Sequence, residues 1–213
     1  MLRYGIPNYR FPKDRLDEDI RAILNSGDIH VTYNTTIGKD IPVKDIYEKH
    51  DAIFVGIGAQ TGKTLRIEGA DAGNVVSAVD ILDQIGNGNL PDYTGKNVVV
   101  IGGGNVAMDA ARTAKRLGAK NVYIVYRRGP EEVPARAEEV HHAKEEGIIF
   151  KLLTNPVKIE GEDGWVKSME CVEMELGEPD ASGRRRPIAK EGSNFTIETG
   201  TVIVAIGQSP NPL

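Results

Sequence analysis

The densest apolar run in the chain is Val98-Val99-Val100-Ile101, bounded by polar residues on one side and by three consecutive glycines on the other. A short, continuous run of branched aliphatic residues predicts a strand covered on both faces, as in a parallel sheet. Past the glycines, Val106, Ala110, Thr113, Ala114 and Leu117 recur at helical spacing as a narrow stripe of small groups, and Gly118 offers a C-terminal cap. Asn121 to Tyr126 reads as a second strand and Ile148 to Leu153 as a third. Between them, Glu131 to Glu146 carries the crossover. Pro134 suits a helix's first turn, so that helix is expected to start there. Strands alternating with helices in this order predict a parallel α/β sheet.

The flanks read differently. Lys13 to Asn25 predicts a helix with Leu16, Ile20, Ile23 and Leu24 on one face. Ile29 to Tyr33 predicts a short strand, and Ile53-Phe54-Val55 a buried one ending in Gly56-Ile57-Gly58. Residues from Gly69 to Gly95 are rich in Gly, Asp and Asn around one short helix, Val76 to Ile85, which places a domain boundary near Gly69. After Asn155-Pro156, Val166 to Leu176 alternates, Gly177 to Gly192 forms a charged loop, and Phe195 to Ile206 holds two short strands. This is the pattern of an antiparallel meander in place of a helical crossover.

The chemistry follows from what joins the strands. Gly102-Gly103-Gly104-Asn105-Val106-Ala107 fits the G-x-G-x-x-G/A dinucleotide fingerprint, with the strand before it and the helix after it that the fingerprint demands. Gly102 permits the tight turn, Gly104 lets backbone N–H groups approach a pyrophosphate, and Ala107 lets helix and strand pack closely. The helix N-terminus adds unpaired N–H groups and the positive end of its dipole. The second strand ends in Tyr126-Arg127-Arg128, where an NAD site carries Asp or Glu for the ribose 2′-OH. Guanidinium binds a 2′-phosphate through paired hydrogen bonds, so NADP(H) is favoured over NAD(H). The fold class is therefore α/β, a Rossmann-like dinucleotide-binding domain combining a parallel sheet with an antiparallel β-meander.

Composition narrows the setting. Hydrophobic content of 40% and charged content of 27% suit a soluble globular protein, and a net charge of −5 argues against general nucleic-acid binding. No apolar run approaches membrane-spanning length, and MLRYGIPNYRFPKDR has no signal-peptide core. One cysteine, Cys171, leaves no internal disulfide and no cysteine-ligated iron–sulfur cluster within this sequence. A reducing, cytoplasmic compartment is the simplest setting.

Taken in order, Gly5-Ile6-Pro7, Arg10-Phe11-Pro12-Lys13, Phe54-Val55-Gly56-Ile57-Gly58-Ala59, Val100 to Asp109, Tyr126-Arg127-Arg128, Val133-Pro134-Ala135 and Ala205 to Asn211 resemble pyridine-nucleotide flavoproteins of the glutamate synthase small-subunit type. NADPH–ferredoxin oxidoreductases of the transhydrogenase type share the pattern. The resemblance implies an NADP domain inserted into an FAD domain, with 1–69 a partial FAD-binding lobe, 70–207 the NADP-binding domain and 208–213 the start of the return to the FAD lobe. It implies hydride transfer from NADPH to FAD and onward to iron–sulfur centres on other sequence, with a large partner subunit in the glutamate synthase case. An FAD glycine motif precedes the Gly-Ile-Pro segment in such proteins, and a segment completing the flavin site follows the Pro-Asn motif. The FAD site is accordingly expected to be incomplete here. The resemblance assigns the pyrophosphate to Gly102, Gly104, Asn105, Val106 and Ala107, the 2′-phosphate to Arg127 and Arg128, and the nicotinamide or flavin edge to Gly207 and Gln208. Asp109 either helps place the nicotinamide, or reaches across to the flavin lobe, or is simply a first-turn acid complementing the helix dipole. Neither catalytic side chains nor metal ligands are assigned. An uncovered apolar face on the first helix makes a homodimer through the partial lobe an expectation too.

Several patterns invite other readings. Gly62-Lys63-Thr64 lacks the glycine five positions upstream that a phosphate-binding GxxxxGK[ST] loop needs. Glu138, Glu139, His141 and His142 read as a solvated helix face, because a metal site of that type needs ligands from facing helices. Arg184-Arg185-Arg186 sits in a turn rich in Gly, Pro and Ser and reads as a loop on the meander. A non-catalytic NADP(H)-binding module is the competing functional class.

Overall fold

The structure is a computed structural model and describes residues 1–181 and 183–210. Two helices, α1 (Lys13–Leu24) and α2 (Val43–Lys49), open the chain, followed by β1 (Thr61–Gly62), β2 (Val75–Ser77) and α3 (Ala78–Gly86). Then come β3 (Asn97–Ile101), α4 (Asn105–Arg116), β4 (Asn121–Tyr126), a 3-10 turn (Pro130–Glu132), α5 (Ala137–Glu145) and β5 (Ile149–Leu152). The chain continues through β6 (Thr154–Glu162), β7 (Trp165–Pro179), β8 (Arg185–Ala189), β9 (Phe195–Glu198), β10 (Thr201–Val204) and β11 (Gln208–Ser209).

The apolar run at 98–101 is continuous because both of its faces are covered. Five parallel strands run in the order β2-β10-β3-β4-β5. Side chains alternate across a strand, so Val98 and Val100 meet α3, α4 and α5, through Ala78, Ala107, Ala111 and Ala143 among others. Val99 and Ile101 face the other way, onto Ile159, Met169, Cys171 and Ile197 of the antiparallel sheet formed by β6, β7, β8 and β9. The result is helices, parallel sheet and antiparallel meander in three layers, the α/β class expected from the pattern. Cys171 is buried in the second of these cores, and burial pushes its thiol up to about 12.

Four local expectations are corrected. Ile29 to Tyr33 and Ile53 to Val55 form no strand, and Phe54 is 95% exposed. A strand needs a ladder partner and a covered face; among the described residues neither segment has them. The helix expected from Val76 instead begins at Ala78, because Val75–Ser77 pairs with β10 and the Ser77 hydroxyl caps the helix by accepting from Val79 N–H at 3.2 Å. The helix expected from Pro134 begins at Ala137, since Ala135 N–H is held at 3.1 Å by the Gly103 carbonyl and keeps the preceding segment in the glycine turn. On α1, Leu16 is buried, while Ile20 and Ile23 remain exposed. Among the described residues no helix is long and apolar enough to cross a membrane.

Candidate functional site

A cavity of about 820 Å³ opens at the C-terminal ends of β3, β4 and β10, the crevice in which open α/β sheets bind ligands. Its floor is the turn between β3 and α4. Gly102 has φ +142, and a Cβ there would lie 2.3 Å from the Ala205 carbonyl oxygen. Only glycine therefore lets this turn and the end of β10 approach so closely. At Gly103 a Cβ would meet the Tyr126 ring at 2.8 Å. Gly104 is different, being the N-cap of α4 with open space within 4 Å of where a Cβ would stand. Its carbonyl receives Ala107 N–H at 2.9 Å, which leaves Asn105 and Val106 as the first residues of the helix on the cavity wall.

The cavity brings together Gly102, Gly104, Asn105, Val106, Arg127, Arg128, Gly207 and Gln208. Ala107 lies beneath it, fully buried in the helix–sheet core. The Asn105 side chain is turned aside, its Oδ1 accepting Arg136 N–H at 3.0 Å and so tying α4 to the start of α5. The two arginines part company. Arg127 is exposed at the rim. The Arg128 side chain is 6% exposed and fastened to the β7–β8 hairpin, with Nε donating to the Arg185 carbonyl at 2.9 Å and Nη2 to Asp180 at 2.5 Å. Gly207 has φ +110, and its carbonyl accepts Lys63 N–H at 3.0 Å beside the short β1–β11 pair. Asn211, in the last motif, lies outside the described residues.

Two charged cavity residues escape sequence reasoning. Arg66 follows β1, and Arg184 precedes β8. Both arrive through tertiary structure, and no spacing to the glycine turn announces them. With Arg127 and Arg128 they make four arginines around the cavity, whose described lining contains no Asp or Glu. In a chain of net charge −5 this concentrates arginine around one cavity. No helix follows Gly62-Lys63-Thr64, so that segment lacks the form of a triphosphate loop.

Asp109 faces away from the cavity lining. Both its oxygens accept from Arg10 Nη1 at 2.6 Å, and Arg10 Nε lies 3.0 Å from Glu139. Burial pushes the Asp109 carboxyl above the usual carboxylate range, against the pull of Arg10. Arg112 continues the network to Glu139 and Glu146 at 2.9 Å, and Arg116 reaches Glu146 at 2.8 Å. The Tyr9 ring lies 4.0 Å from the Arg116 guanidinium and 4.8 Å from that of Arg112. The N-terminal segment is thus docked on the outer side of α4 and α5. Glu139 points inward to these arginines, a correction to the solvated face expected from sequence, while His141 stays exposed beside Glu145.

Comparisons agree with this geometry. The chain is 44% identical to the NADPH-Fe(3+) oxidoreductase subunit beta of Geobacter sulfurreducens, over 99% of this chain and 32% of that protein. It is 36% identical to the glutamate synthase [NADPH] small chain of Escherichia coli, over 99% of this chain and 47% of that one. The chain thus spans less than half the length of these relatives. FprA of Mycobacterium tuberculosis, solved in complex with NADPH, matches the fold with a TM-score of 0.84 at 20% identity, covering 99% of this chain and 62% of FprA. The family model for pyridine nucleotide-disulphide oxidoreductases matches residues 11–213. By that match, the chain belongs to the pyridine nucleotide-disulphide oxidoreductases.

Proposed function

We propose that the chain is the NADP(H)-binding portion of an FAD-dependent oxidoreductase that passes hydride from NADPH to the flavin and electrons onward to iron–sulfur centres. The carrying observation is the arginine-rich, carboxylate-free cavity built on the glycine turn. In this reading Gly102, Gly104, Asn105, Val106 and Ala107 form the pyrophosphate cradle, and the open space above Gly104 suits a close-lying anion. Arg127 and Arg128 hold the adenosine 2′-phosphate, Arg128 through the guanidinium N–H groups not used on Asp180 and the Arg185 carbonyl, and Gly207 and Gln208 lie at the nicotinamide or flavin edge. Nicotinamide and flavin supply the redox chemistry. The chain's own residues bind, orient and exclude water, so none is assigned as a catalytic acid, base or nucleophile.

The described residues hold one strand–glycine turn–helix cradle, and it is taken by NADP(H) in this proposal. A flavin's pyrophosphate therefore needs groups beyond it. We assign 1–69 and 208–213 to an FAD-type lobe and 70–207 to the NADP domain. The flavin is then shared with further sequence or with a partner, such as a glutamate synthase large subunit or a second copy of this chain, in the cytoplasm. The same single cradle supports the second reading, an NADP(H)-binding module without turnover. A third reading, from the resemblance, is an NADPH–ferredoxin oxidoreductase subunit; the Geobacter relative is named as an NADPH-Fe(3+) oxidoreductase subunit.

The test is the visible spectrum of the purified protein before and after FAD addition and desalting, followed by NADPH oxidation with an artificial acceptor. Bound flavin that NADPH bleaches supports the oxidoreductase. A colourless protein that binds NADPH without oxidising it establishes the binding module.

A further inference from the structure

We propose that Arg184, carried by the β7–β8 hairpin, is a third ligand of the nucleotide's 2′-phosphate and a determinant of NADP(H) over NAD(H) selectivity. The inference rests on the reading of the cavity as an NADP(H) site. Arg184 lines that cavity together with Arg127 and Arg128, although 56 positions separate it from Arg128.

The hairpin is built to hold it there. Around the tip, Asp180 N–H donates to the Arg184 carbonyl and Gly183 N–H to the Asp180 carbonyl, both at 2.8 Å. Gly183, at φ +77, takes the left-handed conformation this closure requires. Each flank of the tip is then fastened to the loop that follows β4. On one side Asp180 binds Arg128 at 2.5 Å. On the other, the Arg185 carbonyl accepts from Arg128, while its side chain bridges Glu132 at 2.5 Å and Glu131 at 2.8 Å. Hydrogen bonds from Arg185 hold the Glu132 carboxyl below the usual carboxylate range, so the bridge is charged at neutral pH. Residue 184 sits between these anchors, which fixes where the backbone presents this cationic side chain to the cavity.

This also gives two of the three consecutive arginines separate duties. Arg185 is a structural bolt, whereas Arg184 is delivered to the cavity, and the meander becomes a selectivity arm in addition to a cover for the sheet.

The probes are 2′,5′-ADP and 5′-AMP, which differ by the 2′-phosphate and need neither nicotinamide nor flavin. Titration calorimetry compares wild type, Arg184→Ala, Arg184→Lys and Arg127→Ala. Losing one charge-assisted contact predicts about tenfold weaker 2′,5′-ADP binding by Arg184→Ala, with 5′-AMP changed less than about twofold. Arg184→Lys, which keeps charge but not the planar fork, recovers part of the loss. Equal weakening toward both probes, or none, while Arg127→Ala remains selective, overturns the role of Arg184 and leaves the cofactor reading intact. A wild-type protein indifferent to the 2′-phosphate overturns both.

Discussion

Adding one methyl group at Gly102 and one at Gly104 separates the folding role of this turn from its binding role. At Gly102 the backbone is at φ +142, and the new Cβ would meet the Ala205 carbonyl oxygen at 2.3 Å and its carbonyl carbon at 2.9 Å. These are backbone atoms at the end of β10, so no flexible side chain can swing aside. Forcing alanine into a glycine-only region costs about 1–3 kcal/mol, and prising two parallel strands apart adds to that. Gly102→Ala should therefore lose about 3–5 kcal/mol of unfolding free energy, the range of a severe single substitution. At Gly104 φ is −87 and nothing stands within 4 Å of the new Cβ. Alanine is a poor N-cap, which limits the stability loss to about 1 kcal/mol. The methyl group then occupies space where a pyrophosphate would lie, so NADPH binding should weaken by about tenfold or more. Urea denaturation gives the stabilities and fluorescence titration the affinities. A Gly102→Ala protein as stable as wild type, or a Gly104→Ala protein that binds NADPH normally, would refute the assignment of roles.

Removing the docking cation, Arg10→Ala, leaves the Asp109 carboxylate buried without its partner. The expected loss is about 2–3 kcal/mol, below the full cost of a broken buried pair because Asp109 can take up a proton. Adding Asp109→Ala should restore part of it, and a strictly additive double mutant in urea unfolding would show the pair to be uncoupled. At Glu146, burial pushes the carboxyl up, but the hydrogen bonds from Arg116 and Arg112 outweigh it and hold the group below its ordinary 4.5. Its contribution is therefore present above that value and lost as pH falls through the lower, folded-state value. Wild type should lose more stability than Glu146→Gln between about pH 5 and pH 3; parallel curves would contradict the sign. Cys171, with its thiol pushed up to about 12, should resist a thiol reagent near pH 8 until denaturant is added. Rapid labelling of the folded protein would place it outside the core.

The elements legible in the sequence are those whose chemistry is local. The strand at 97–101, the glycine turn and the helix after it need particular residues at particular spacings, and a continuous apolar run already implies cover on both faces. Ile29 to Tyr33 and Ile53 to Val55 carry the same kind of pattern. A pattern names a face but not a neighbour, and these segments have no ladder among the described residues. The Ser77 cap, a serine before an apolar turn, is a local signal that a helix start at Val76 overlooks. Arg66 and Arg184 were not readable as cavity residues, because loop segments far from the glycine turn in sequence bring them there. Nor was the inward turn of Glu139, which depends on Arg10 and Arg112 from other elements.

The central claim is that the cavity above Gly102 to Asn105 recognises the 2′-phosphate of NADP(H). Titrating the purified protein with NADPH and NADH at one ionic strength tests it most directly. One charge-assisted phosphate contact is worth about 1.5–3 kcal/mol, so NADPH should bind at least about tenfold more tightly, with the difference shrinking as salt is raised. Equal affinities for the two, or a preference for NADH, would contradict the account.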